Sequence, residues 1–135
     1  MKLIIFSLIL FFSGVKKHSL SIRISGISQI KGTLYIGVFR KNDSFPIFGK
    51  QFKGAVKEVK GKTQIYNFED LPEGEYAVAI YHDLNRNNIL DKNLLGIPEE
   101  RYGFSNNARR AFSAPSFQEA KIKLNKDLQI AVDLK

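Results

Sequence analysis

The chain has no cysteine and no tryptophan, a single methionine and only four prolines. Without cysteine there is no disulfide framework, no thiolate metal site and no thiol to carry a lipid behind a leader. Acid is also in short supply: 13 Asp and Glu stand against 21 Lys and Arg, a formal net charge of +8. The usual marks of catalysis are missing. There is no Gly-x-Ser-x-Gly elbow, no His-x-x-x-His pair and no glycine-rich phosphate loop. Two histidines, His18 and His82, are the only ones available as bases. No window of a dozen residues has the apolar 3.6-residue period of an amphipathic helix. What remains is a chain of 135 residues, enough for one domain. Its 11 Phe and 5 Tyr supply apolar bulk that a disordered segment lacks.

The first residues read as a signal peptide. Lys2 gives a short positive start, residues 3–12 are apolar except for Ser7, and Ser13 and Gly14 are small. The run is too short to cross a bilayer comfortably, and basic residues follow at once (Lys16, Lys17). We therefore expect residues 1–18 to be a leader cut between 13 and 20, and 19–135 to form a single exported domain, periplasmic or at the cell surface. A buried N-terminal strand or an uncut anchor is the alternative. No transmembrane segment is expected once the leader is removed. The basic surface suits an anionic partner, such as an anionic glycan or another envelope component. Export argues against nucleic acid.

Beyond the leader the dominant period is two. Apolar residues alternate in 19–26, 33–40, 62–68, 75–82, 120–124 and 128–132, and less regularly in 51–59. Turn signals separate several of them, including Gly26, Gly61-Lys62, Leu71-Pro72-Glu73-Gly74 and Asn125-Lys126-Asp127. In 33–40, Leu34, Ile36 and Val38 face one way and Tyr35, Gly37 and Phe39 the other, so that strand is expected to be covered on both sides. About seven short strands predict an all-β, Ig-like or transthyretin-like sandwich, with a closed barrel as the other solution. Residues 83–118 break the pattern. Their Leu94, Tyr102, Phe104, Phe112 and Phe117 need somewhere to pack, so they are expected to form one long ordered excursion over the sandwich.

Several pieces occur together in this order: Leu71-Pro72-Glu73-Gly74-Glu75-Tyr76, then Asp83-Leu84-Asn85-Arg86-Asn87-Asn88-Ile89-Leu90-Asp91, then Gly96-Ile97-Pro98, Tyr102-Gly103-Phe104-Ser105-Asn106-Asn107-Ala108-Arg109 and Ala114-Pro115-Ser116-Phe117. Over residues 71–124 the chain resembles a family of small exported bacterial proteins known only as a domain of unknown function. The resemblance implies an exported β-sandwich and no particular activity. One departure is Asn88, where that family usually has Gly. Asn tolerates the left-handed backbone better than most residues.

Two constellations carry possible chemistry. Asp83, Asn85, Asn87 and Asp91 put side-chain oxygens at positions 1, 3, 5 and 9 of a tight loop, and the carbonyl of Ile89 stands at position 7. This is the first part of an EF-hand-type calcium loop. Position 12 is Leu94, not a bidentate Glu, and Arg86 brings a positive charge; Glu99 or Glu100 is the nearest replacement ligand. The alternative is a turn in which Asn and Asp cap their own backbone. The second constellation is Arg101, Tyr102, Phe104, Asn106, Asn107, Arg109 and Arg110, whose guanidiniums, rings and amides suit a sugar or carboxylated ligand. Alternatively, those rings pin the excursion and the amides satisfy its backbone. The expected function is thus a non-enzymatic binding or adhesion-type module with calcium as its one candidate cofactor. A structural envelope-assembly protein without metal stands second, and a hydrolase using His82 third.

Overall fold

The computed structural model describes residues 14–92, 94 and 99–135. Residues 1–13, which carry most of the expected leader, and the Gly96-Ile97-Pro98 piece lie outside the described residues. Eight strands follow one another: β1 Lys17–Ser25, β2 Thr33–Phe39, β3 Lys53–Glu58, β4 Gln64–Pro72, β5 Gly74–Asp83, β6 Tyr102–Phe104, β7 Ile122–Leu124 and β8 Leu128–Asp133. One helical turn, α1 Phe117–Ala120, precedes β7.

The strands form two sheets packed as a sandwich. One has the order β4-β1-β8; the other runs β3-β2-β5-β6, with β7 pairing further along β5. β1 and β8 pair in parallel, and the other pairings are antiparallel. Glu73 alone carries the chain from β4 in one sheet to β5 in the other, and its N–H donates to the Lys16 carbonyl at 2.8 Å. Period-two alternation does the sorting. Leu20, Ile22 and Ile24 of β1 meet Leu34, Ile36, Val38, Val78 and Ile80 from the opposite sheet in the main core. On the other face of the five-stranded sheet, Phe39, Ala77 and Ala79 build a second, smaller core with Phe104 and Ala120. β2 is thus covered on both faces, as its sequence predicts.

Seven strands are expected and eight are found, because the excursion contains β6, which at three residues is too short for a period to register. Ala120, expected to open a strand, instead closes α1. The Ser116 side chain accepts from the Glu119 N–H while the Glu119 carboxylate accepts from the Ser116 N–H, a capping box that fixes one helical turn there. β4 also runs on to Pro72, past its expected end near Phe68. It is an edge strand, where a residue without an N–H is tolerated. Among the described residues no helix is long and apolar enough to cross a membrane.

The excursion lies on the outer face of the five-stranded sheet, and Gly32 sets where its first turn can run. Gly32 has φ +75°, and a Cβ there would drive into the Asp83 carbonyl oxygen and come within 2.9 Å of the Leu84 Cα. Gly32→Ala is expected to destabilise by about 2 kcal/mol or more, from backbone strain plus overpacking, lowering Tm by roughly 6–10 °C in a thermal melt.

Candidate functional site

The strand β5 ends at Asp83, whose side chain is wholly buried beneath the loop that follows. Its Oδ1 accepts from the Asn87 N–H at 3.2 Å and its Oδ2 from the Asn88 N–H at 2.8 Å. The loop can curl around this carboxylate because Arg86 and Asn88 take positive φ, 58° and 65°. Asn88 is therefore left-handed, a conformation that Asn tolerates better than most residues. Its Oδ1 accepts from the Tyr35 hydroxyl. Asn85 Oδ1 accepts from the Asn87 N–H, and Asn87 Oδ1 from the Ile89 N–H. Both amide groups donate to Asp91, Asn85 to Oδ2 and Asn87 to Oδ1, each at 2.8 Å.

A third carboxylate closes the loop. Glu100 is buried; Oε1 accepts from the Leu84 N–H at 3.0 Å and Oε2 from the Asp91 N–H at 3.2 Å. Glu99 is exposed and contributes its N–H to the Asp91 carbonyl. Of the two glutamates, then, the second reaches the loop. Burial pushes the Glu100 carboxyl above its usual range; the two N–H donors oppose this, and the charges of Asp91 and Asp83 add to it. Arg86 does not neutralise the loop from within. Its guanidinium pairs with Glu58 of β3, which holds that carboxyl below its usual range. Every side-chain oxygen of this loop named here already accepts a hydrogen bond, Asn88 Oδ1 from the Tyr35 hydroxyl and the others from chain N–H groups. Among the described residues there is no group of three or more His, Cys, Asp or Glu arranged to hold a metal ion.

The loop forms one wall of a cavity of about 690 Å³ on the outer face of the five-stranded sheet. Asn88, Ile89, Leu90 and Lys92 supply that wall, and Ala79, Tyr81 and Phe104 line it from the sheet. Pro46, Ile47 and Phe48, from the stretch between β2 and β3, bound another side, and residues 110–114 a third. The rings brace one another: Phe48 meets Tyr81 edge-on at 4.7 Å, Tyr81 stacks on Tyr35 at 4.8 Å, and Phe45 packs against Phe39, Phe104 and Phe117. Burial pushes the Tyr81 hydroxyl well up, with Tyr35 and Asp83 adding to the shift, so it stays protonated. The wall from residues 46–48 was not anticipated. An apolar Phe-Pro-Ile-Phe run outside any alternating segment was the signal for it.

Of the second constellation, Tyr102, Phe104 and Arg110 line the cavity. The other four hold the chain together. Arg101 donates to the Gly26 carbonyl, Asn106 to the carbonyls of Glu119 and Lys121, and Asn107 accepts from the Asp133 N–H. Arg109 donates to the Tyr102 carbonyl at 2.7 Å and lies 4.8 Å over the Tyr102 ring. His82 is fully buried on the opposite face of β5, with Nε2 2.7 Å from the Lys31 carbonyl and Nδ1 without a partner. It does not border the cavity among the described residues.

Ser105 was overlooked. The outer edge of β5 pairs with β7 through Tyr76 and with β6 from Ala79. Between those partners the Ser105 hydroxyl accepts the Val78 N–H at 2.9 Å and donates to the Ala120 carbonyl, so one side chain fills the gap in the ladder. Ser105→Ala is expected to leave the Val78 amide buried and unpaired and to cost about 1–3 kcal/mol, read as a lower urea midpoint with an unchanged m-value.

Searches of curated proteins and of solved structures return no match. A family profile does match, over residues 22–131, a span that takes in both sheets, the Asp83–Asp91 loop and the cavity. The chain belongs to the family described as uncharacterized protein conserved in bacteria (DUF2141).

Proposed function

We propose that this protein is an exported, non-enzymatic binding module. It takes its ligand in the cavity on the outer face of β5, and calcium orders the loop that walls it. The observation that carries this reading is the cavity itself. Its volume of about 690 Å³ falls within the roughly 300–1,000 Å³ typical of small-ligand sites. Its lining is mainly aromatic and aliphatic, with a few polar groups, Asn88, Lys92, Arg110 and Ser113. No histidine or carboxylate is among the described lining residues, and His82 is fully buried away from the cavity. A hydrolase using His82 has no support in that arrangement.

For calcium, the support is the charge balance of the loop. Three carboxylates, Asp83, Asp91 and Glu100, belong to the loop or are hydrogen-bonded to it, two of them buried, while Arg86 pairs with Glu58. A cation would replace the two amide N–H groups as the partner of Asp91, with Asn85, Asn87 and the Ile89 carbonyl as neutral oxygen ligands. Such a site is expected to be weak, on the order of 10⁻⁴–10⁻³ M, as in extracellular calcium modules. The complete hydrogen bonding of the loop without an ion favours a second reading, a structural envelope protein in which the loop needs no metal.

The two readings part in a thermal melt. In 10 mM calcium, against chelator, the domain is expected to gain about 1.4 kcal/mol or more, the linkage value at tenfold over Kd, or roughly 4–6 °C. The same increment is expected to vanish in Asp83→Ala and Asp91→Asn, whatever their baseline Tm. No increment in the unsubstituted protein would sink the calcium proposal and leave the metal-free reading.

Export makes a separate prediction. β1 begins at Lys17, and Leu20 is wholly buried in the main core. Mass spectrometry of the secreted chain is expected to find a mature N-terminus that precedes Leu20. A chain recovered with residues 1–13 intact would overturn cleavage.

A further inference from the structure

We infer that the occupant of the cavity is a small amphipathic anion: an apolar chain or ring body carrying one carboxylate, sulfonate or phosphate group. The inference rests on the binding-module reading above and adds the ligand's chemistry to it.

Three observations point the same way. First, the charged groups among the described lining residues are Lys92 and Arg110, both cationic, and no carboxylate is with them. Arg110 is shared with Glu119 through its Nε at 2.9 Å, yet its side chain remains about half exposed. Second, the mouth carries large apolar side chains that folding has left in water. Ile47 is 58% exposed, Ile89 59% and Phe112 94%. A tail entering between them would remove from solvent what the chain alone does not cover. Third, the aromatic faces that a sugar would stack on are largely taken. Tyr81 lies against Tyr35 with an interplanar angle of 6°, and Arg109 covers Tyr102. The cavity offers apolar volume and positive charge rather than open ring faces and converging polar groups. The segment that closes it is tethered at both ends, by the Arg110–Glu119 pair and by the Ser116 capping box, with Phe112 between.

The test displaces 1-anilinonaphthalene-8-sulfonate, itself an aromatic anion, from the folded domain with decanoate, decanol or decylammonium below their aggregation limits. Decanoate is expected to compete about tenfold more strongly than decanol, the gain from two partly exposed charge contacts, and decylammonium more weakly than either. Lys92→Gln with Arg110→Gln is expected to bring decanoate down to the level of decanol and leave decanol unchanged. Phe112→Ser alters a side chain that is almost fully in solvent, so the fold is retained, and by removing apolar contact without adding charge it is expected to weaken all three. Equal competition by decanoate and decanol would overturn the anionic assignment while leaving the cavity as a binding site. Equal losses for both in the double variant would do the same. If none of the three competes up to about 1 mM, the cavity reading fails along with this inference.

Discussion

Strand β5 sends side chains into two cores at once, and the rest of the outer face is organised around that demand. Tyr76, Val78 and Ile80 fill the space between the sheets, while Ala77, Ala79 and Tyr81 point the other way and are equally buried. A sandwich of two sheets covers only one of these faces. The excursion and the stretch between β2 and β3 cover the other together, and they do so with rings: Phe104 and Phe117 from the first and Phe45 and Phe48 from the second close over the small Ala77 and Ala79. Because the cover is built from two short strands and one helical turn rather than one long strand, the edge of β5 changes partners midway. Ser105 satisfies the amide left over at the change. Asn106 and Asn107 tie the same turn to α1 and β8. What looks in sequence like a cluster of ligand-seeking amides is largely the fastening of a lid onto a twice-buried strand.

The acidic loop is the electrostatic exception in a basic chain. Three carboxylates, Asp83, Asp91 and Glu100, are tied into this one loop although the protein carries a formal charge of +8. Backbone N–H groups and Asn amides meet them, and the guanidinium of Arg86, from within the loop, goes to Glu58 instead. Dipoles in place of a counter-ion compensate a buried carboxylate only in part, and the raised Glu100 carboxyl is the mark of that. A divalent ion would complete the compensation. This is also why the loop follows β5 directly: Asp83, anchored in the sheet, fixes the first carboxylate, and left-handed Asn88 returns the chain around it.

The sandwich was legible because alternation is a local property. Each pair such as Leu34 inside and Tyr35 outside is written in adjacent letters, and enough pairs determine two layers. β6 was not legible, since three residues hold no period and its existence depends on the free edge of β5, far away in the chain. The same limit governed the site. The Asp-x-Asn-x-Asn spacing is local, and the loop was found. Glu100 against Glu99 could not be decided by spacing, because what separates them is which one the fold buries. The cavity needed residues 46–48, 79–81, 88–90 and 110–114, with Lys92, Tyr102 and Phe104, brought together. No window of sequence contains that convergence, although the unplaced Phe45-Pro46-Ile47-Phe48 run hinted that some apolar surface had still to find a partner.

The loop and the cavity are a single piece of chain seen from two sides. Asn88 donates its backbone N–H to buried Asp83 on one side and lines the cavity on the other, and Ile89 and Leu90 continue that wall. A cation held by the carboxylates would fix the backbone of these residues, and a ligand resting on them would fix the same dihedrals. Whichever bound first would relieve the second of part of the ordering entropy, so the two events would favour each other. Thermodynamic linkage makes the coupling equal in both directions: any factor by which calcium tightens the ligand is the factor by which the ligand tightens calcium. The weak ion site proposed above would suit this position. An ion bound far more tightly than its surroundings supply would keep the wall permanently set. One bound near the ambient concentration leaves the wall responsive to both the ion and the ligand.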